Sequence, residues 1–157
     1  MAVRSFDKEP LSVSYLLIRR INPALNIPPL HQALQIAIYD EYSARAFYQK
    51  VIDMFGAVVP FINIVEAEKQ HIAALLPLFY RYGVYIPIDD WYPNLEPIPS
   101  LKENCELGVA GEINNVQMYD HLLDFVSLPD VRQVFYKLQA ASLNHHLPAF
   151  RRCVMGR

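Results

Sequence analysis

The sequence predicts an all-α fold: an antiparallel four-helix bundle with one long crossover between helices two and three, plus an N-terminal extension. Three observations predict it. Four stretches carry apolar residues at alternating steps of four and three, the stripe left by one face of a helix. The connections within the first pair and within the second pair of stretches are short. Some seventeen proline-rich residues separate the two pairs.

Residues 1–28 form the extension and residues 29–157 the bundle domain. Within the extension, Leu11 to Ile21 is apolar enough for a short helix and is closed by Asn22-Pro23 and Pro28-Pro29. Helix one starts near Pro29, where proline suits a first turn, and stops at Gly56. Its stripe is Leu30, Leu34, Ala37, Glu41, Ala44, Tyr48, Val51 and Phe55. Helix two runs from about Val59 to Tyr82, stops at Gly83, and carries Phe61, Ile64, Glu68, His71, Leu75, Leu78 and Tyr82.

The next segment, GVYIPIDDWYPNLEPIP, holds four prolines that forbid a helix, while its apolar content argues against disorder. It reads as a packed crossover covering a bundle groove, with Trp91 and Tyr92 against it. At ~3.3 Å per extended residue it spans ~55 Å, more than the ~36 Å length of helix two. Ser100 with Glu103 and Ser127 with Asp130 have the spacing of capping boxes and place the starts of helices three and four. Helix three carries Leu101, Cys105, Gly108, Glu112, Asn115, Tyr119, Leu122 and Val126. Helix four carries Val131, Phe135, Leu138, Ser142, His145 and Ala149. Pro148 removes a helical hydrogen bond and predicts a kink after His145.

A chain of 157 residues is one domain with a sizeable core. Fourteen basic and sixteen acidic residues form no block of either sign, which argues against a nucleic-acid or anionic-membrane partner. No uncharged apolar run approaches the ~20 residues of a membrane span, and MAVRSFDKEP lacks the apolar core of a signal peptide. Cys105 and Cys153 lie far apart and form no CxxC, which argues against a disulfide framework and against a rubredoxin or zinc-ribbon module. A soluble protein of the reducing cytoplasm is the expectation.

Each stripe is broken at mid-length by polar residues that bind metals. Carboxylates in a bundle core cost several kcal/mol unless paired, protonated or metal-bound. Arg45 is the one guanidinium beside this layer. Glu68 and His71, at i and i+3, share a helix face and can share a metal ion, and oxygen plus imidazole donors suit iron or manganese. Glu41 precedes Glu68-x-x-His71 by 27 residues and Glu112 precedes Ser142-x-x-His145 by 30, which suggests a pseudo-twofold pair of hairpins. Tyr48 and Tyr119 lie in the seam about two turns from their own glutamates, where a phenol donates to a ligand or fills the core. His146 points about 100° away from His145 and is expected at the surface or a partner interface. Cys105 is expected to be buried packing.

These residues resemble the rubrerythrin-like branch of the ferritin-like superfamily. Glu41 to Tyr48 looks like its first-helix motif, Glu66 to His71 its second, Ala110 to Tyr119 its third, and Val134 to His145 its fourth. The resemblance implies two metal ions, iron or manganese. Glu41 and His71 are then terminal ligands of one ion, Glu112 and His145 of the other, and Glu68 bridges. It implies reduction of hydrogen peroxide or oxygen, or oxidation of ferrous iron, in a homodimer. No CxxC pair is present to carry electrons, so the electron donor is a separate protein. Ser142 stands where the family has a second bridging glutamate, and Asn115 where it often has another carboxylate. These departures keep a second reading open, a ferritin-like scaffold with a decayed or single-metal site that acts by binding a protein partner. With Tyr48 and Tyr119, Asn115 and Ser142 are the candidates for the layer around the ligands.

Overall fold

The computed structural model describes residues 11–156 and is all-helical, with no strand among the described residues. Residues 1–10 of the expected extension lie outside the described residues. A short helix α1, Val13–Ile18, falls inside the expected Leu11 to Ile21 segment. Helix α2, Pro29–Phe55, opens on proline and closes on Gly56 as the sequence predicts. Helix α3, Phe61–Tyr82, begins two residues later than expected and ends at Gly83, whose φ of 63° is the left-handed conformation that costs glycine nothing.

Residues 83–99 fold back on α2 around a single 3₁₀ turn at Tyr92–Asn94. Trp91 packs on Tyr39 at 5.2 Å between ring centroids, Tyr39 donates to Asp90, and Tyr42 donates to the carbonyl of Pro87. Arg45 is drawn outward to Asp89 at 2.7 Å, so it does not neutralise the central layer. That position belongs to Arg19, from the end of α1, which pairs with Asp40 at 2.5 Å.

Helix α4, Leu101–Leu123, starts at the expected cap: the Ser100 hydroxyl accepts from the Glu103 amide at 3.3 Å. The second capping box does not form. Helix α5, Pro129–Ala141, has Leu128 at its N-cap, and Asp130 is taken up by Tyr82, Arg81 and the Val131 amide. Proline at the first helical position supersedes the serine signal.

At the place where a kink is expected stands a π-helical segment, Ser142–His146, in which the Leu147 amide bonds to the carbonyl of Ser142, five residues back. Helix α6, Leu147–Val154, continues from it with Pro148 in its first turn.

Paired residues fix the directions. Tyr48 meets Phe61 and Glu41 meets His71, so α2 and α3 run antiparallel. Tyr119 meets Phe135, Asn115 meets Ser142 and Cys105 meets Cys153, so α4 runs antiparallel to α5–α6. The buried apolar residues form two clusters. One, around Leu34, Ile38, Leu75, Tyr119 and Phe135, lies toward one end; the other, around Tyr48, Val51, Phe61 and Phe150, lies toward the opposite end. The polar layer sits between them.

Cys105 and Cys153 form a disulfide with 6.0 Å between Cα atoms. The expectation of unpaired cysteines fails because antiparallel packing brings together positions 48 residues apart, which sequence spacing does not reveal. Cysteine usage therefore no longer points to a reducing compartment. No helix of the described residues is long and apolar enough to cross a membrane.

Candidate metal centre

Glu41, Glu68 and Glu112 are each no more than 2 % exposed, and His71 and His146 no more than 6 %. These five side chains form two overlapping groups, Glu41–Glu68–His71 and Glu68–Glu112–His146. Within each group one donor atom per residue lies within 4.8 Å of the others, a spacing at which each group could hold a metal ion. Glu68 belongs to both. Its Oε2 is 3.3 Å from His71 Nδ1 and its Oε1 is 3.2 Å from His146 Nδ1. His71 Nδ1 also lies 3.2 Å from Glu41 Oε2, and His146 Nδ1 3.3 Å from Glu112 Oε1. The two imidazoles stack at 5.3 Å and 15°.

The histidine from the last hairpin is His146, and His145 is exposed. This corrects the sequence reading of both residues. A seam of 3.5 residues per turn runs through His145 and Ala149, but the π segment adds a residue, so the buried positions are Leu138, Ser142, His146 and Phe150. The signal in the sequence was Pro148, whose missing amide marks where the ladder must change.

A second layer orients the first. Tyr48 of α2 donates to Glu112 of α4 at 2.7 Å, and Tyr119 of α4 donates to Glu41 of α2 at 2.7 Å. Each tyrosine thus serves the glutamate of the opposite hairpin, a pseudo-twofold exchange. Asn115 donates to Glu41 at 3.2 Å and to Asp40 at 2.8 Å, while Ser142 donates to Asn115 Oδ1 at 2.8 Å. The Ser142 hydroxyl is therefore tied to the Asn115 amide, which in turn holds Glu41 and Asp40. Asp40 was missed by the sequence reading because it lies off the stripe, yet it is only 7 % exposed.

The electrostatics are those of a crowded carboxylate site. Burial, reinforced by the Glu41 charge, pushes Glu68 up to about 8. Burial also disfavours ionised Glu41, but hydrogen bonds from Glu68, His71 and Tyr119 outweigh it and hold Glu41 below the usual range. Burial opposes charge on the imidazoles as well; the flanking carboxylates prevail, taking His71 to about 10 and His146 to about 9. Protons thus offset the buried carboxylate charge in this fold.

The donor set fits metal ions on a further count. Glu68 Oε2 and His146 Nδ1 are fully buried, and although neighbours lie within ion-pair reach, neither atom meets one in hydrogen-bond geometry. A native interior rarely leaves such atoms without a partner.

Two openings reach the layer from different sides. A cavity of about 310 Å³ touches Glu68 and Glu112 and is flanked by Asp40, Glu96 and Arg19. A larger groove of about 770 Å³ between α3 and α5–α6 has His71 and His146 in its lining.

No protein-family profile and no curated protein matches the chain. Two solved structures resemble it. A hypothetical protein, MJ0754 from Methanococcus jannaschii DSM 2661, superposes with a TM-score of 0.73 at 18% identity over 87% of this chain and 85% of that one. A conserved hypothetical protein, rv2844 from Mycobacterium tuberculosis, gives 0.68 at 15% identity over 80% and 89%. At these identities the likeness speaks for the fold alone.

Proposed function

We propose that α2, α3, α4 and the continuous α5–α6 column form a ferritin-like four-helix bundle with one long crossover, and that its polar layer binds two metal ions, iron or manganese. The observation that carries this reading is Glu68, shared between two groups that each contribute a further glutamate and a histidine. Glu41 and His71 would hold one ion and Glu112 and His146 the other, with Glu68, whose Oε2 lies by His71 and Oε1 by His146, available to both. The stacked imidazoles fix each other's ring planes, while Tyr48 and Tyr119 hold the outer glutamates in place through their hydroxyls.

The function is oxidoreduction on hydrogen peroxide or oxygen, or oxidation of ferrous iron. When bound, the metal pair supplies the electron-transfer chemistry that no side chain here provides. A separate protein returns the electrons, and the working form is a homodimer.

Metal analysis of protein expressed with iron and manganese tests the reading. Close to two ions per chain, lost in Glu68→Ala, is the expected result; no bound metal in the unaltered chain overturns it.

A second reading, a partner-binding scaffold, draws on one observation. The chain Ser142–Asn115–Asp40–Arg19 is held by hydrogen bonds and one ion pair, with no metal ion needed. On that reading Glu41→Ala and His71→Ala leave function intact.

A further inference from the structure

The groove between α3 and α5–α6 is a binding site of its own, and we propose that it takes an amphipathic organic anion, a hydrocarbon body carrying one carboxylate. Its volume of about 770 Å³ lies within the range of small-molecule sites, ~300–1,000 Å³. The walls are opened by small side chains, Ala67 and Ala74 on α3 facing Ala141 and Ala149 across the gap. Branched residues at those four positions would fill it. Val59, Ile64, Val134 and Leu138 add aliphatic surface to the wall, which suits a hydrocarbon body.

The charge of the lining decides the sign of the ligand. Lys137 and Arg152 line the groove, His145 adds a third basic group, and no carboxylate among the described residues lines it. The pairings Tyr82–Asp130 and Phe61–Phe150 show α3 antiparallel to α5–α6, which places Lys137 toward one end and Arg152 toward the other. His71 and His146 lie between them. Their Nδ1 atoms face the glutamates, so the opposite ring edges face the groove. A carboxylate held by either cation lays its hydrocarbon body across the two imidazoles. The opening on the α2–α4 side has the reverse character, with Asp40, Glu68, Glu96 and Glu112 against one arginine. Cations and organic anions thus meet the same layer from different sides.

The groove adjoins the proposed metal centre through His71 and His146, but the lining the assignment rests on stands without metal. The test is calorimetric titration of the full chain with decanoate below its micellar concentration, with decanol and butyrate as companions. Saturable decanoate binding is expected, with decanol and butyrate at least about tenfold weaker, since each lacks the charge or the body. Lys137→Glu with Arg152→Glu should weaken decanoate by about tenfold or more. Ala141→Trp should abolish binding while the far-ultraviolet dichroism of a folded helical protein is kept. Decanoate should bind the unaltered chain alike with and without a chelator, so the groove can hold even if the metal reading fails. Absence of saturable binding overturns the proposal, as does equal affinity for decanol or in the charge-reversed protein. A concentration-dependent dimer that Ala141→Trp abolishes also overturns it, and assigns the groove to a second copy of the chain.

Discussion

His145 and His146 are adjacent in sequence and opposite in circumstance, and the pair gives the sharpest residue-level test of the centre. His146→Ala should reduce bound metal from two ions to one or none, while His145→Ala should leave the stoichiometry unchanged; metal analysis of the two variants decides. Tyr48→Phe and Tyr119→Phe each remove one donor from a glutamate of the proposed centre, and a loss of roughly 10–100-fold in metal affinity is expected, read by competition with a chelator. The pH behaviour follows from the imidazoles. His71 and His146 rise from 6.5 to about 10 and about 9 in the metal-free fold. Because the folded values are the higher ones, this stabilisation is complete below about pH 6.5 and is lost as pH rises through about 9 to 10. The urea midpoint of metal-free protein should fall across that window. Metal must displace the same protons, so apparent affinity should rise over the window, with proton release visible by calorimetry in two buffers of different ionisation enthalpy.

The π segment is the element on which the centre turns. Its extra residue is taken up on the outside, where Leu143 is 48% exposed, while Ser142 and His146 stay buried. Deleting Leu143 should convert the segment to an ordinary α-helix with His146 three positions after Ser142, still on the seam. Retained metal stoichiometry with loss of the π geometry, seen in a structure of the deletion variant, is the expected outcome. Next along the same column, Phe150 lies over Gly108 of α4, where an added Cβ would come within 2.7 Å of its ring. Gly108→Ala should therefore cost about 1–3 kcal/mol in chemical unfolding, as overpacking of a close contact does. The glycine was legible in the sequence only as a member of a stripe; its purpose came from the phenylalanine that the shifted register sets against it.

For the whole molecule, the disulfide between Cys105 and Cys153 closes α4 onto α6 across 48 residues of chain. A loop of that size removes unfolded-state entropy worth about 4 kcal/mol in the chain-entropy model. Reduction, or Cys105→Ser, should lower stability by up to that amount, measured by urea unfolding with and without reductant. The loss should exceed that from any exposed ion pair in the protein, since such pairs contribute ~1 kcal/mol or less.

At this scale the division between sequence and structure is plain. The sequence by itself determined the helical class, the bounds of α2 and α3 to within two residues, the start of α4, and the height at which polar residues interrupt the stripes. Those features are local: periodicity, proline at a first turn, glycine at a stop and a serine cap act within a few residues of themselves. Glu41, Glu68, His71 and Glu112 were legible for the same reason, since each keeps the phase of its own helix. The tertiary structure alone decided the partners of Arg19 and Arg45, the burial of Asp40, the exchange of tyrosines between hairpins, the disulfide, and the choice of His146 over His145. Each of these depends on what packs against a residue, and one inserted residue in a helix turns everything after it by about 100°. No period counted along the chain carries that information until a proline and a neighbouring helix settle where the turn is taken.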